Sequence, residues 1–294
     1  MALLPPFYLD AVVALGVGND PATRSWIGTG FLYGVWDQGS SGEDKGYYVF
    51  LVTCKHVLDG HDNIWLKFNV VSGSGSQDIN LLLRAKNGRE LWIRHPDDSV
   101  DLGASFINAK YLSSQNMRLN WFRNDEHTAT ISDMNSGGIT EGDGIYVLGF
   151  PMGLVDPMWQ SVICRLGCIA RIQNVLNSGI GDFLIDASVF PGNSGGPVVL
   201  QPEMTAITGT KSIRNAHLIG VVSTYLPYQD VAISMQTRRP RITFDENSGL
   251  SSVIPVDRIN ELMDDSVKRL KGRIAQARWK AKQQQNVTPT TTTS

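Results

Sequence analysis

The chain has 294 residues and a mass of 32.3 kDa, about two domains' worth at roughly 150 residues each. Hydrophobic residues make up 42% and charged residues 18%, which excludes a disordered or coiled-coil chain. The formal net charge is -2, from 26 basic and 28 acidic side chains, so nothing in the overall charge draws the protein to nucleic acid or to a membrane surface.

Residues 1–18 are apolar, yet no Lys or Arg precedes the apolar stretch, and Pro5, Pro6 and Asp10 interrupt it. The segment is therefore not read as a signal peptide. No run of about eighteen uninterrupted apolar residues occurs, so no membrane span is expected. Short β segments follow at 8–17, 26–36, 47–53, 63–71, 79–85, 103–107, 144–149, 161–172, 183–186, 196–200 and 217–224, many bounded by Gly, Asn, Asp or Ser turns. Such a series points to antiparallel barrels or sandwiches rather than a doubly wound sheet. A stretch of weak apolar periodicity, 113–142, is expected to connect two β units.

From Val256 the pattern changes. Ile259, Leu262, Met263, Val267, Leu270 and Ile274 recur at three- and four-residue steps and predict one amphipathic helix whose stripe packs on the β body. Its continuation carries Lys268, Arg269, Lys271, Arg273, Arg278, Lys280 and Lys282, read as a solvated basic face. The expected organisation is a β unit over 1–125, a second over 126–255, a basic helix over 256–282 and a disordered tail over 283–294.

Three cysteines are present: Cys54, Cys164 and Cys168. In an extended segment Cys164 and Cys168 would lie about 13 Å apart, too far for a disulfide. Free thiols are expected and, with no export signal, a cytoplasmic location. Cys-x3-Cys without a second ligand pair nearby is a poor zinc site, and no metal is expected.

The chemistry concentrates in three short motifs. Gly192-Asn193-Ser194-Gly195-Gly196-Pro197 surrounds a serine with glycines, which let a backbone turn tightly and aim successive N–H groups at one point. A serine hydroxyl needs an adjacent base to become a nucleophile. Val52-Thr53-Cys54-Lys55-His56 puts a histidine at the end of an apolar β segment, and Asp101-Leu102-Gly103 puts an acid just before another. Each alone has an ordinary structural reading. Together, in the order His, Asp, Ser, they point to acyl transfer. Asp97 and Asp98 precede the same strand as Asp101 without adjoining its apolar segment, His61 reads as a loop residue, and Asp186 as a structural or pocket-rim group.

On these motifs the chain resembles the trypsin-like serine proteases. Thr53-Cys54-Lys55-His56-Val57 is similar to the family's histidine motif, Gly192 to Pro197 to its serine motif, and Asp101-Leu102-Gly103 to its Asp-Leu-Ala pattern, with Gly103 departing from the usual alanine. Trp26-Ile27-Gly28-Thr29-Gly30-Phe31 and Ile254-Pro255-Val256-Asp257-Arg258-Ile259 resemble the bacterial Deg/HtrA-type branch, although a helix and tail rather than a PDZ domain are expected after residue 260.

The resemblance implies an all-β fold of two antiparallel six-stranded Greek-key β-barrels with a C-terminal α-helix. It implies a serine endopeptidase with Ser194 as nucleophile, His56 as base and Asp101 orienting His56, working through an acyl-enzyme intermediate. Backbone N–H groups of Gly192 and Ser194, with Asn193 between them, would form the oxyanion hole, and no cofactor is required. The side-chain pocket would have its base at Ser188 and its wall at Ser223, Thr224 and Tyr225. No acid stands at Ser188 to draw a basic side chain, and the bulk of Tyr225 favours small or apolar residues before the cleaved bond. Two long segments, 201–215 and 226–248, are expected to cover or reshape the cleft. The second of these and the terminal helix are the expected contact points for an activating or tethering protein partner. The alternatives are a latent, protease-like binding or scaffold protein and a hydrolase of other acyl bonds.

Overall fold

The computed structural model describes residues 4–38, 40, 45–203 and 215–285, with side chains placed as far as residue 272. The first unit is an eight-stranded sheet built from β1 (Val12–Val17), β2 (Ser25–Trp36), β3 (Tyr47–Thr53), β4 (Asn63–Asn69), β5 (Ser76–Leu82), β6 (Ile93–Arg94), β7 (Gly103–Phe106) and β8 (Phe122–Arg123). Its order is β5-β4-β1-β2-β3-β7-β6, with β8 parallel to β2 and every other pair antiparallel. The two ends of this path meet at an isolated antiparallel bridge between Arg84 and Glu90.

The second unit is a closed barrel of six strands, β9 (Gly144–Gly149), β10 (Ile163–Arg171), β11 (Phe183–Asp186), β12 (Pro197–Leu200), β13 (Leu218–Ile233) and β14 (Pro240–Pro255), in the order β10-β11-β14-β13-β12-β9. Short helices decorate the loops: α1 (Lys55–Leu58), α2 (Ala109–Ser114), α3 (Ile131–Gly137) and α4 (Gln173–Ser178). The fold is thus mostly β, as expected. The first unit has eight strands rather than six, because β6 and β8 are two residues long and too short to carry an alternation.

Two expected elements differ in extent. Residues 8–11 belong to a 3-10 helix, Pro6–Ala11, rather than to β1: Pro6 lacks the N–H a ladder needs and presets the φ of a helical start. Residues 226–248 are not an irregular insertion. β13 runs on to Ile233 and β14 returns from Pro240, pairing from Pro227↔Asn247 to Ile233↔Pro240. The turn-forming run Asn247-Ser248-Gly249 and the charges before it mask that strand in the sequence.

Each unit has its own apolar interior. Under the first sheet Leu15, Phe31, Tyr33, Phe50, Phe68 and Phe122 are fully buried, with Phe31 edge-on to Phe122 at 5.6 Å between ring centres. Inside the barrel lie Ile145, Val147, Ile169, Phe183, Ile185 and Val198. α5 (Val256–Gln285) leaves the barrel from β14 and buries Ile259, Leu262 and Met263 in the first core, while Tyr33 donates its hydroxyl to Asn260 Oδ1 at 2.7 Å. At about 1.5–3 kcal/mol per buried side chain of this size, the helix is a substantial tie between the two units.

On its outer side Arg269 pairs with Asp265 at 2.7 Å. The side chains of Arg273, Arg278, Lys280 and Lys282, the tail 286–294 and segment 204–214 lie outside the described residues. No helix among the described residues is long and apolar enough to cross a membrane.

Candidate active site

The pairing of β3 with β7, Thr53 opposite Gly103, sets the end of one strand beside the start of the other. His56 lies just past β3, in α1, and Asp101 just before β7. Lys55 N–H donates to the Asp101 carbonyl at 3.2 Å, and His56 N–H donates to Asp101 Oδ1 at 3.0 Å. The second carboxylate oxygen lies 2.6 Å from His56 Nδ1. Burial pushes the Asp101 carboxyl up, but the ring and backbone N–H bonds from His56 outweigh it and hold Asp101 below the usual carboxylate range. The same hydrogen bond raises His56 above its ordinary value, against a smaller opposing effect of burial. Facing a carboxylate held ionised, Nδ1 is the donor, and in the neutral ring Nε2 keeps its lone pair.

The neighbouring acids turn elsewhere. Asp97 accepts from the backbone and hydroxyl of Ser99 at 2.9 and 2.7 Å, and Asp98 offers its carbonyl to Lys55 Nζ at 2.8 Å. Ser223 is buried, and its hydroxyl faces Asp101 Oδ2 at 3.5 Å.

The Ser194 loop is fixed from the first unit by one buried residue, Thr29. Its N–H donates to the Ser194 carbonyl at 3.0 Å, and its hydroxyl donates to the Gly192 carbonyl at 2.6 Å while accepting from Phe150 N–H at 3.0 Å. Its own carbonyl accepts from Thr53 Oγ1 at 2.7 Å, which links the loop to the strand that leads to His56. Gly195, at φ +84°, lies so close to Thr53 and Thr29 that a side chain there would collide with both. A second tie comes from β13, where the Val222 carbonyl accepts from Cys54 Sγ at 3.2 Å and from Gly195 N–H at 2.8 Å.

Within the loop, Asn193 N–H donates to the Phe190 carbonyl at 3.0 Å and so is already committed. Asn193 is 1% exposed, and its side-chain nitrogen has no hydrogen-bond partner among the described residues. The N–H groups of Gly192 and Ser194 donate to no acceptor among the described residues. Ser194 is half-buried, and its hydroxyl makes no hydrogen bond to His56 in this structure.

The expected pocket residues lie on the two segments that flank β14. Ser188 is exposed between buried Ala187 and Val189, beside Asn247 and Gly249. Tyr225 is half-buried against the barrel core on the other side of β14, opposite Ser251, and Thr224 is exposed. Thr29 and the Val222 carbonyl are not among the residues expected from sequence. Thr29 does sit inside the motif 26–31 that carried part of the resemblance, whereas a backbone carbonyl leaves no mark in a sequence. Among the described residues one trio, Cys54, His56 and Asp101, has atoms within 4.8 Å of one another that are suited to a metal, but Asp101 already holds the His56 ring. The Cys54 thiol is pushed well up by burial and by the Asp101 charge, and is a poor ligand in that state.

Among solved structures, the chain is similar to the MamO protease domain from Magnetospirillum magneticum, with 13% identity, 86% of this chain and 96% of that chain covered, and a TM-score of 0.43. It is also similar to an inactive mutant form of Rv3671c from M. tuberculosis H37Rv, with 14% identity, coverages of 88% and 87%, and a TM-score of 0.40. No curated protein matches. The family model described as a trypsin-like peptidase domain matches residues 28–204, more than half of the chain and inclusive of His56, Asp101 and the Ser194 loop, and the protein belongs to that family.

Proposed function

We propose that the protein is a serine endopeptidase in which Ser194 is the nucleophile, His56 the general base and Asp101 the residue that fixes His56. The observation that carries this reading is the His56–Asp101 contact at 2.6 Å, which commits Nδ1 to the carboxylate and so, in the neutral ring, leaves Nε2 as the basic nitrogen. In the first step His56 takes the Ser194 proton as Oγ bonds to the substrate carbonyl carbon. The carbonyl oxygen then carries the charge, and Gly192 and Ser194 N–H are the donors that would receive it. His56 next gives its proton to the leaving amine as the peptide C–N bond breaks, forming an acyl-enzyme on Ser194. Water, deprotonated by His56, releases the acid product. Ser223, through its contact with Asp101, would act on His56 at second hand.

The substrate class is protein or peptide. The lack of an acid at Ser188 and the bulk of Tyr225 support cleavage after small or apolar side chains. The alternative is a latent protease-like protein that a partner activates; the hydrogen bond between Ser194 Oγ and His56 is one that tightens on substrate binding and so is expected to be loose in either case. Incubation with a mixture of unstructured peptides, with products identified by mass, tests both. New termini after small or apolar residues, absent with Ser194→Ala, support the endopeptidase. Intact peptides with a folded sample favour latency.

A further inference from the structure

Beyond the barrel, β13 and β14 continue as a two-stranded arm, from Pro227↔Asn247 to Ile233↔Pro240. Among the described residues neither strand has another beside it there, because β12 pairs with β13 only as far as Val221 and β11 with β14 only from Leu250. At about 3.4 Å per residue the arm extends roughly 20 Å, with both edges and both faces uncovered by any described residue. A lone two-stranded hairpin is marginal in water, and a free apolar edge invites pairing with another strand. The arm exposes Tyr228, Val231, Ile233, Met235, Ile242 and Phe244, the last two at 54% and 48%.

The order of side chains along β14 indicates what covers it. Arg241, near the tip, has no ion-pair partner among the described residues, and Asp245, nearer the barrel, accepts only from Gln229 of the same arm at 2.9 Å. Antiparallel pairing of this strand with itself about Thr243 sets Arg241 opposite Asp245 twice, Ile242 opposite Phe244 twice, and Thr243 opposite Thr243. All three pairs, opposite charges, aromatic with β-branched, and Thr with Thr, stabilise adjacent strands. The equivalent pairing of β13 about the middle of its arm, Asp230, sets two carboxylates against each other.

We propose that two copies of this chain associate through the outer edges of their β14 arms, forming a four-stranded sheet across a two-fold axis at Thr243. The interface is isologous, so every pair except Thr243–Thr243 on the axis occurs twice, and the assembly closes at a dimer.

Sedimentation equilibrium of the full chain tests it. The wild type is expected to dimerise. Asp245→Arg and Arg241→Asp each set like charges opposite at two places and should weaken the dimer by roughly tenfold or more. The double variant Arg241→Asp/Asp245→Arg restores opposite charges and should restore the dimer, a rescue that damage to folding would not give. Thr243→Cys in a Cys164→Ser background should cross-link into a covalent dimer on mild oxidation, because directly opposed strand residues lie within disulfide reach. A protein that stays monomeric at all concentrations, or a dimer indifferent to both single reversals, would overturn the proposal.

Discussion

Cys54 and Gly195 donate to the same acceptor, the carbonyl of Val222, at 3.2 and 2.8 Å. Cys54 stands two residues before His56, and Gly195 one after Ser194. A single carbonyl on β13 therefore sets the separation between the histidine turn and the serine loop, which belong to different units of the fold.

This placement predicts the order in which the thiols react. Cys54 is fully buried, and burial with the Asp101 charge pushes its thiol well up, so almost none is thiolate near neutral pH. Cys164 is exposed. Iodoacetamide should modify Cys164 first in the native protein and Cys54 only after unfolding, as peptide mass mapping over time would reveal. Equal rates at the two would contradict the buried placement of Cys54.

Thr29 predicts a separable effect on rate. Thr29→Val removes the donor to Gly192 and the acceptor for Phe150, leaving two buried backbone groups unpaired at about 1–3 kcal/mol each. Thermal unfolding should move to lower temperature. Under the proposed mechanism kcat should fall more than KM changes, because the displaced loop carries the oxyanion donors. Thr29→Ser keeps the hydroxyl and should recover most of both. A valine variant with wild-type kcat would mean that the loop holds its shape without Thr29.

The pH profile follows from the His56–Asp101 contact. His56 is raised above its ordinary value of 6.5, chiefly by the hydrogen bond to Asp101. Only the neutral ring can accept a proton, so hydrolysis should rise with pH through that raised value, with the midpoint of the acid limb above 6.5. Asp101→Asn removes the interaction that raises His56; the limb should move to lower pH, and the rate should fall by roughly 10³–10⁴. An acid limb unmoved by Asp101→Asn would show that another group controls it.

Much of the fold was legible from local pattern. β2, β3 and β9 carry dense apolar runs between turns, and Ile259, Leu262 and Met263 repeat at helical spacing on the face that α5 buries. The arm of β13 and β14 was not legible as strand, since neither of its faces is buried and its short alternating run, Ile242 and Phe244, lies among charges between Pro240 and the turn-forming 247–249. His56, Asp101 and the glycines around Ser194 stood out because that chemistry restricts residue type. Thr29 did not, because it acts by contacts across the fold and the same side chain occurs on any strand; Ser223 was expected on the pocket wall, with nothing in the sequence to set its hydroxyl beside Asp101.

The central claim is that Ser194 is an activated nucleophile. Reaction of the purified protein with a fluorophosphonate, followed by mass mapping of the modified residue, tests it most directly. The account predicts a single adduct on Ser194, lost in Ser194→Ala and strongly slowed in His56→Ala. A well-folded protein that takes up no label, or takes it up at another residue, would contradict it.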